Sequence, residues 1–337
     1  MPGRKGYGGD VIRMGYFLMN SLDLPQTNWR LKAALILVWT TPAFWTMNYY
    51  VARKAPGEIE PHMLALLRWS LVGLALLFMA GVEIRQRWPL TREEVVDALI
   101  MGALGMWICG AFVYIGGQTT SAVNIGLLYA LSPVMIAAVS VWALGESFSV
   151  RQALGVVMAL LGMVWIVSQG RPERISPDTF SVGDLWVLAA ATSWTVYSIR
   201  LKARKSRFSP MGRLLVMTLG GVLVLLPMTA LEAVLLDSWN LTGQGLWLAV
   251  IAAVFPGLLA YLSYSFMQRE LGAAKTAMVL YLGPLYTGVM SWLLLNEPPQ
   301  LFHLVGGIGI LLGIYLVTAS RDALPNQSSG QVPTRLP

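Results

Sequence analysis

The chain has 337 residues, of which 56% are hydrophobic and only 12% are charged. A soluble domain carries roughly 25% charged residues, so this composition excludes an ordinary soluble protein. The net charge of +7 indicates membrane orientation rather than nucleic-acid binding, because no basic run on a soluble segment is interleaved with aromatic residues. The single cysteine, Cys109, lies in an apolar run and excludes an intrachain disulfide.

Ten apolar stretches are long enough to cross a bilayer. Each is predicted to be a helix, because backbone groups in lipid must satisfy their own hydrogen bonds. The predicted spans are residues 31–51, 63–82, 95–115, 120–143, 150–168, 183–201, 211–232, 246–267, 273–295 and 301–319. Residues 1–30 are predicted to be a cytoplasmic segment, and the polar residues 170–182 a periplasmic linker. Residues 321–337 are predicted to be a disordered cytoplasmic tail.

The second half of the chain repeats the first at an offset of about 151 residues. The aligned pairs include Pro133 and Pro284, Glu146 and Glu297, Gly155 and Gly306, and Gly162 and Gly313. Chance does not readily place one proline, one glutamate and two glycines in the same register. The pattern therefore predicts an internal duplication, with residues 31–169 as the first five-helix repeat and residues 183–320 as the second.

Lysine and arginine are distributed unevenly between alternate connections, with eighteen on one side and four on the other. This bias predicts that both termini are cytoplasmic. Because each repeat has an odd number of spans, the second repeat is predicted to run opposite to the first. The predicted fold is an all-α polytopic membrane protein with ten transmembrane helices in two inverted five-helix repeats. Folds of this kind bind substrate between the repeats and work by alternating access.

The pattern resembles the drug/metabolite transporter superfamily, specifically its EamA-type members with ten helices. The resemblance covers about residues 30–320 and rests on Pro133 and Glu146 with their repeats, on Leu-Leu-Gly in spans five and ten, and on Leu67-Arg68-Trp69. One departure is Asn296-Glu297 where the family usually has Gly-Glu. The resemblance implies a basket-like fold with a central cavity. It also implies export of small metabolites across a bacterial inner membrane. The chain is most similar to exporters of aromatic or other neutral amino acids.

Deep aromatic and polar side chains predict an apolar, aromatic-walled pocket with a few hydrogen-bonding groups. The predicted substrate-binding residues are Trp45, Thr46, Asn48, Tyr49, Trp107, Tyr114, Asn124, Tyr129, Trp194, Tyr197, Tyr261, Tyr264 and Tyr281. Core packing remains the alternative for any one of these residues. Trp and Tyr also collect at lipid interfaces as anchors, but the deeper ones, such as Trp45, Trp107 and Tyr129, lie away from the interfaces.

Two prolines and two cations are further candidates. Pro133 and Pro284 are expected to kink their helices in mid-span and to act as hinges, the alternative being a packing kink. Arg68 is expected to extend to the periplasmic interface, and Lys275 to behave similarly at the cytoplasmic side. The alternative for either cation is to meet the carboxylate of a substrate.

The drive for transport is constrained by what the spans lack. The acidic residues Asp97, Glu146, Glu232 and Glu297 lie near the ends of spans. Exchange of a cationic substrate for protons usually needs a carboxylate deep in the membrane, so their position argues against that mechanism. Glu146 and Glu297 are expected to cap helices or to pair in connections. No phosphate-binding glycine-lysine loop is present, so a substrate gradient is the expected drive, with proton coupling through other groups left open.

No catalytic residue, metal site or cofactor is predicted, and the chain is not expected to be an enzyme. The expected partners are a small-molecule substrate and the lipid bilayer, without nucleic acid, in a monomer or a weak homodimer. Two other functions remain open. One is organophosphate or nucleotide-sugar exchange, for which Arg68 and Lys275 would supply the positive charge, and the other is a membrane sensor without transport.

Overall fold

The computed structural model describes residues 29–144, 149–171, 173, 181–236, 240–271 and 279–318. The predicted N-terminal segment, most of the predicted linker and the predicted tail lie outside these residues. Glu146, Lys275 and the side chain of Tyr281 also lie outside the described part of the structure.

Ten helices in the described residues occupy the positions of the ten predicted spans. They are α1 (Trp29–Lys54), α2 (Pro61–Gln86), α3 (Arg92–Gly116), α4a and α4b (Ala122–Tyr129 and Ser132–Leu144), α5 (Val150–Val167), α6 (Val182–Ala203), α7 (Pro210–Leu236), α8 (Gly243–Ala252, Ala253–Leu259 and Ala260–Leu271), α9 (Val279–Leu295) and α10 (Leu301–Thr318). By length and composition, α2, α3, α5, α7 and α8 can each cross a membrane, and three shorter helices are also apolar. The fold class is therefore the predicted all-α membrane protein.

Helix starts are set by polar caps in the sequence. Thr91 and Glu94 form a reciprocal capping box at the start of α3, and Ser149 and Gln152 form another at the start of α5. Such caps satisfy backbone N–H groups that have no partner inside the helix. Polar residues thus mark where these two apolar helices begin.

The fourth predicted span is broken rather than kinked. Helix α4a ends at Tyr129 and α4b begins at Ser132, so Pro133 is the second residue of a new helix. Proline is favoured there because the first turn of a helix does not use its backbone N–H groups. The prediction that Pro133 lies in mid-helix was wrong. Pro284, in contrast, lies inside α9, as expected.

Helices α3 and α8 each contain a π-helical segment, at residues Ala103–Ile108 and Ala253–Leu259. The two segments are separated by about 150 residues, which matches the offset of the sequence repeat. The first packs against α6 and α7, and the second packs against α1 and α2. Each repeat therefore places the π-helical segment of its third helix against the first two helices of the other repeat.

Contacts between connections show that the repeats run in opposite directions. Arg53, in the last turn of α1, donates to the carbonyl oxygen of Gly117 at 2.7 Å. Ser181, the N-cap of α6, donates to the carbonyl oxygen of Thr119 at 2.9 Å. We call this end of the molecule end A, and the opposite end, with the 204–209 connection, end B. Helix α1 ends at end A whereas α6 begins there, so the predicted inverted repeat is confirmed.

Candidate functional site

Arg68 is buried among α1, α2 and α3 and is only 5% exposed. It lies seven residues after Pro61, about 10 Å along the axis of α2 from end A. Its Nη1 atom donates to Asn48 Oδ1 at 2.7 Å and to the Tyr114 hydroxyl at 3.0 Å. The Tyr114 hydroxyl in turn donates to Asn48 Oδ1 at 3.0 Å. The expectation that Arg68 extends to the interface was wrong, because these partners hold the guanidinium inside the protein.

The Arg68 guanidinium has neutral partners only, within the part of the chain that the structure describes. None of the described ion pairs includes it, and its buried Nε atom has no hydrogen-bond partner. A charge at the centre of a membrane helix costs about 2.5–3.5 kcal/mol on insertion scales. The ring of Trp69, whose centroid is 4.7 Å from Arg68 Cζ, offsets about 0.5–2 kcal/mol of such a cost. The arrangement leaves a cation and a free N–H group that can receive an anion.

Aromatic rings surround this guanidinium. Tyr261 meets the ring of Trp69 edge-on, with 6.4 Å between ring centroids. Tyr49 and Tyr129 have ring centroids 5.9 Å apart, and the Tyr129 hydroxyl donates to the Cys109 carbonyl oxygen at 3.1 Å. We call Arg68, Asn48, Tyr49, Trp69, Tyr114, Tyr129 and Tyr261 the Arg68 cluster.

Four other predicted aromatic residues pack in pairs elsewhere. Trp45 contacts Tyr264, with ring centroids 5.5 Å apart, beside a small apolar cluster of α1, α8 and α9. Trp194 stacks on Tyr197 at 5.2 Å, and the Tyr197 hydroxyl donates to Met217 Sδ at 3.8 Å. None of the hydrogen bonds that the structure describes for Arg68 involves these four residues.

Two further candidates make local contacts. The Thr46 hydroxyl donates to the Pro42 carbonyl oxygen one turn earlier in α1, at 2.8 Å. Trp107 lies edge-on to Phe112, with ring centroids 6.1 Å apart, and its indole N–H group is buried without a hydrogen-bond partner. Trp107 therefore has a free donor and Thr46 does not.

Asn124 belongs to a separate polar network at end A. Its Nδ2 atom donates to Asp184 Oδ1 at 3.3 Å, and Thr120 Oγ1 donates to the same oxygen at 2.5 Å. His303 Nε2 lies 3.1 Å from Asn124 Oδ1. Sequence reasoning missed Asp184, which is near a helix end yet only 2% exposed. Its signal was an acidic residue three positions after the N-cap Ser181.

Glu297 connects three parts of end A. One carboxylate oxygen pairs with Arg53 Nε at 2.8 Å. The other accepts a hydrogen bond from the backbone N–H of Ala122, the first residue of α4a, at 3.1 Å. The prediction that Glu297 caps a helix and pairs in a connection is confirmed.

A cavity of about 280 Å³ lies at end B between α3 and the 204–209 connection. Arg207 and Glu94, which form an ion pair with a separation of 2.6 Å, are part of its wall. None of the predicted substrate-binding residues lines this cavity. It is therefore separate from the Arg68 cluster.

The described helices form two inverted five-helix repeats around a buried arginine. The protein is therefore a polytopic α-helical membrane protein of the inverted-repeat class. The sequence model of the EamA-like transporter family matches the chain twice, over residues 32–168 and 181–319. The chain belongs to this family and is a multi-pass membrane transporter, so the resemblance seen in the sequence is confirmed.

Named relatives and a solved structure agree with this assignment. The uncharacterized transporter YyaM of Bacillus subtilis (strain 168) is 26% identical over 280 residues, covering 81% of this chain and 88% of the relative. An uncharacterized transporter of Archaeoglobus fulgidus is 25% identical over 291 residues, covering 85% and 97%. A crystal structure aligns with a TM-score of 0.56 at 20% identity, covering 87% of this chain and 99% of the other, and supports the fold alone.

Proposed function

We propose that this transporter exports small neutral or zwitterionic metabolites, with amino acids and above all aromatic amino acids as the substrates. The observation that carries the proposal is the buried Arg68 guanidinium, whose described partners are neutral and whose Nε atom is free. Arginine binds carboxylates through two parallel N–H groups, and Arg68 has donors left for such a contact.

The aromatic members of the Arg68 cluster support the choice of side chain. Trp69 and Tyr261 provide apolar ring surface next to the guanidinium, and the indole N–H group of Trp69 is a free donor. A carboxylate on Arg68 would place the side chain of an amino acid against these rings. Offset or edge-to-face ring contacts contribute about 0.5–1.5 kcal/mol beyond area burial, which favours aromatic side chains.

Contacts across the two repeats support alternating access. Arg68 and Trp69 belong to the first repeat, residues 31–169, whereas Tyr261 and Gly257 belong to the second, residues 183–320. The ring of Tyr261 contacts Trp69, and Gly257 lies beside Arg68 Nε. A substrate bound there would touch both repeats, so its binding would respond to rocking of one against the other.

The distribution of basic residues supports an orientation in a bacterial inner membrane with end B on the cytoplasmic side. Both termini then lie on that side. Arg200, Arg204 and Arg207 lie at end B, whereas Arg53 and Lys54 are at end A. Basic residues are retained on the cytoplasmic side during insertion. Export then runs from end B to end A.

Counterflow into proteoliposomes that contain the purified protein tests the proposed substrate. Labelled phenylalanine, leucine, phenethylamine and a hexose phosphate would be compared. We expect phenylalanine to exchange fastest, leucine more slowly, and phenethylamine, which lacks the carboxylate, at least about tenfold more slowly than phenylalanine. Equal rates for phenylalanine and phenethylamine would contradict the role given to Arg68.

Organophosphate exchange is the second candidate, because the same free guanidinium donors would also hold a phosphate group. Only one described cation lies in the cluster, whereas a phosphate monoester carries up to two charges, which favours the carboxylate. Hexose phosphate exchange that exceeds phenylalanine exchange would support this second candidate.

A further inference from the structure

Three helix starts meet in the polar network at end A. Asn124 lies in the first turn of α4a, Asp184 in the first turn of α6 and His303 in the first turn of α10. The side chain of Asn124 links the other two, because its amide nitrogen faces Asp184 and its amide oxygen faces His303. His303 and Asp184 are buried, at 8% and 2% exposed, and Asn124 between them is half-buried. The network joins helices of both repeats.

The hydrogen bonds of His303 specify its protonation state in this arrangement. The backbone N–H of Gln300 donates to His303 Nδ1 at 2.8 Å, so Nδ1 is an acceptor and carries no proton. The ring proton then lies on Nε2, which donates to Asn124 Oδ1 at 3.1 Å. Imidazolium has two donors and no acceptor, so a protonated His303 could still donate to Asn124 Oδ1 but could not accept from the Gln300 N–H group.

Protonation of His303 would break the contact that fixes the start of α10. A proton on Nδ1 removes the acceptor for the Gln300 N–H group. It also places a positive charge at a helix N-terminus, where the helix dipole disfavours cations. Imidazole in water has an unperturbed pKa near 6.5, so a conformation that exposes the His303 ring to water would be favoured by mild acid.

We propose that His303 is a proton-binding latch: end A is closed when His303 is neutral, and end A opens when His303 takes up a proton. The proposal rests on the proposed function, because alternating access requires end A to open during the transport cycle. Proton binding and opening are then linked reciprocally, so a pH gradient across the membrane would bias transport. Among the residues that the structure describes, the other charged groups at end A near α6 and α10 are Asp184, Arg53, Glu297, Arg171 and Glu173.

His62 is a natural control because it also lies at end A but has a carboxylate as its partner. Its Nδ1 atom is 2.6 Å from Glu232 Oε1, and its backbone N–H donates to Glu232 Oε2 at 2.9 Å. These contacts join α2 to α7 rather than α10 to α4a. Replacing His62 therefore tests whether the pH response comes from His303.

Distance measurements between spin labels test the latch without any substrate. The full chain in lipid nanodiscs would carry Cys109→Ser, with labels at Gln118→Cys and Leu304→Cys, both exposed positions near end A. When the pH is lowered from about 8 to about 5, we expect the population of molecules with a longer distance between the labels to rise at least about threefold. Adding His303→Gln should abolish that shift, and adding His62→Gln should preserve it.

Two results would overturn the latch: a parent distance that ignores pH, or a shift that survives in His303→Gln. Phenylalanine counterflow on the same preparations separates this proposal from the proposed function. Distances that respond to pH without any phenylalanine flux would support the latch and contradict the proposed substrate. Phenylalanine flux with distances that ignore pH would do the reverse.

Discussion

Gly162 on α5 and Gly306 on α10 approach so closely that a Cβ atom added to either would lie 2.6 or 2.7 Å from the carbonyl oxygen of the other. Gly155 and Gly313 show the same reciprocal approach, at 2.7 and 2.5 Å. In the sequence repeat, Gly155 corresponds to Gly306 and Gly162 to Gly313. Gly155 therefore contacts Gly313, the counterpart of Gly162, and Gly162 contacts Gly306, the counterpart of Gly155. An approximate two-fold axis between α5 and α10 requires this crossed pairing.

Replacing Gly162 with alanine should destabilise the protein, because the added methyl group would force α5 and α10 apart. Overpacking of this kind costs about 1–3 kcal/mol. Thermal unfolding in detergent, followed by tryptophan fluorescence, should show a lower midpoint for Gly162→Ala. Gly81→Ala is the control, since a Cβ atom at Gly81 has no neighbour within 4 Å. Identical midpoints for the two variants would contradict the close packing.

Replacing Arg68 with glutamine should remove the preference for a carboxylate. We expect phenylalanine counterflow to fall at least about tenfold, and the ratio of phenylalanine to phenethylamine exchange to approach one. Arg68→Lys should keep part of the preference, because lysine retains the charge but not the planar fork. Arg87→Gln, at the exposed end of α2, serves as the control. A preference that survives in Arg68→Gln would remove Arg68 from the binding site.

Tyr261→Ala should lower phenylalanine flux more than leucine flux, since it removes a ring beside Trp69 and Arg68. The expected selective loss is about three- to tenfold, equivalent to about 0.5–1.5 kcal/mol of ring contact. Trp194→Ala should act mainly on stability, because the described contact of Trp194 is its stacking on Tyr197. Phe78→Ala, at a position 85% exposed, controls for loss of an aromatic residue. Comparable losses for both substrates in Tyr261→Ala would argue against ring recognition.

Pro284→Ala should slow turnover more than Pro133→Ala, with little change in the substrate concentration for half-maximal flux. Pro284 interrupts the hydrogen bonds inside α9, whereas Pro133 occupies a position in α4b where no helical bond is lost. Alanine at 284 would restore a backbone bond and stiffen the proposed hinge. Maximal flux from counterflow curves is the measurement, and faster turnover in Pro284→Ala than in Pro133→Ala would exclude the hinge.

The fold could be predicted in most of its outline because apolar length and repeated residues are properties of the chain itself. All ten spans are present as helices in the described residues, and the four glycines of the repeat meet in crossed pairs, Gly162 with Gly306 and Gly155 with Gly313. The break before Pro133 and the π-helical segments of α3 and α8 were not predicted. Both depend on how the helices pack against neighbours, which hydrophobic periodicity does not encode.

The candidate site was predicted only in part. Asn48, Tyr114 and Tyr261 were among the predicted residues and do lie around Arg68. Asn124 was assigned to the same pocket, but its partners are Asp184 and His303, which come from distant parts of the chain. Hydrogen-bond partners separated by 60 and 179 residues leave no local signal in the sequence.

By itself, the sequence determined that this protein spans a membrane as a duplicated helical unit, because lipid requires long apolar segments whose backbone bonds are internal. It also determined the opposite orientation of the repeats, through an odd number of spans. Only the tertiary structure decided that Arg68 is held inside by Asn48 and Tyr114 and that His303 meets Asn124 at end A. A long side chain can reach several partners from one backbone position, and packing alone selects which one it meets.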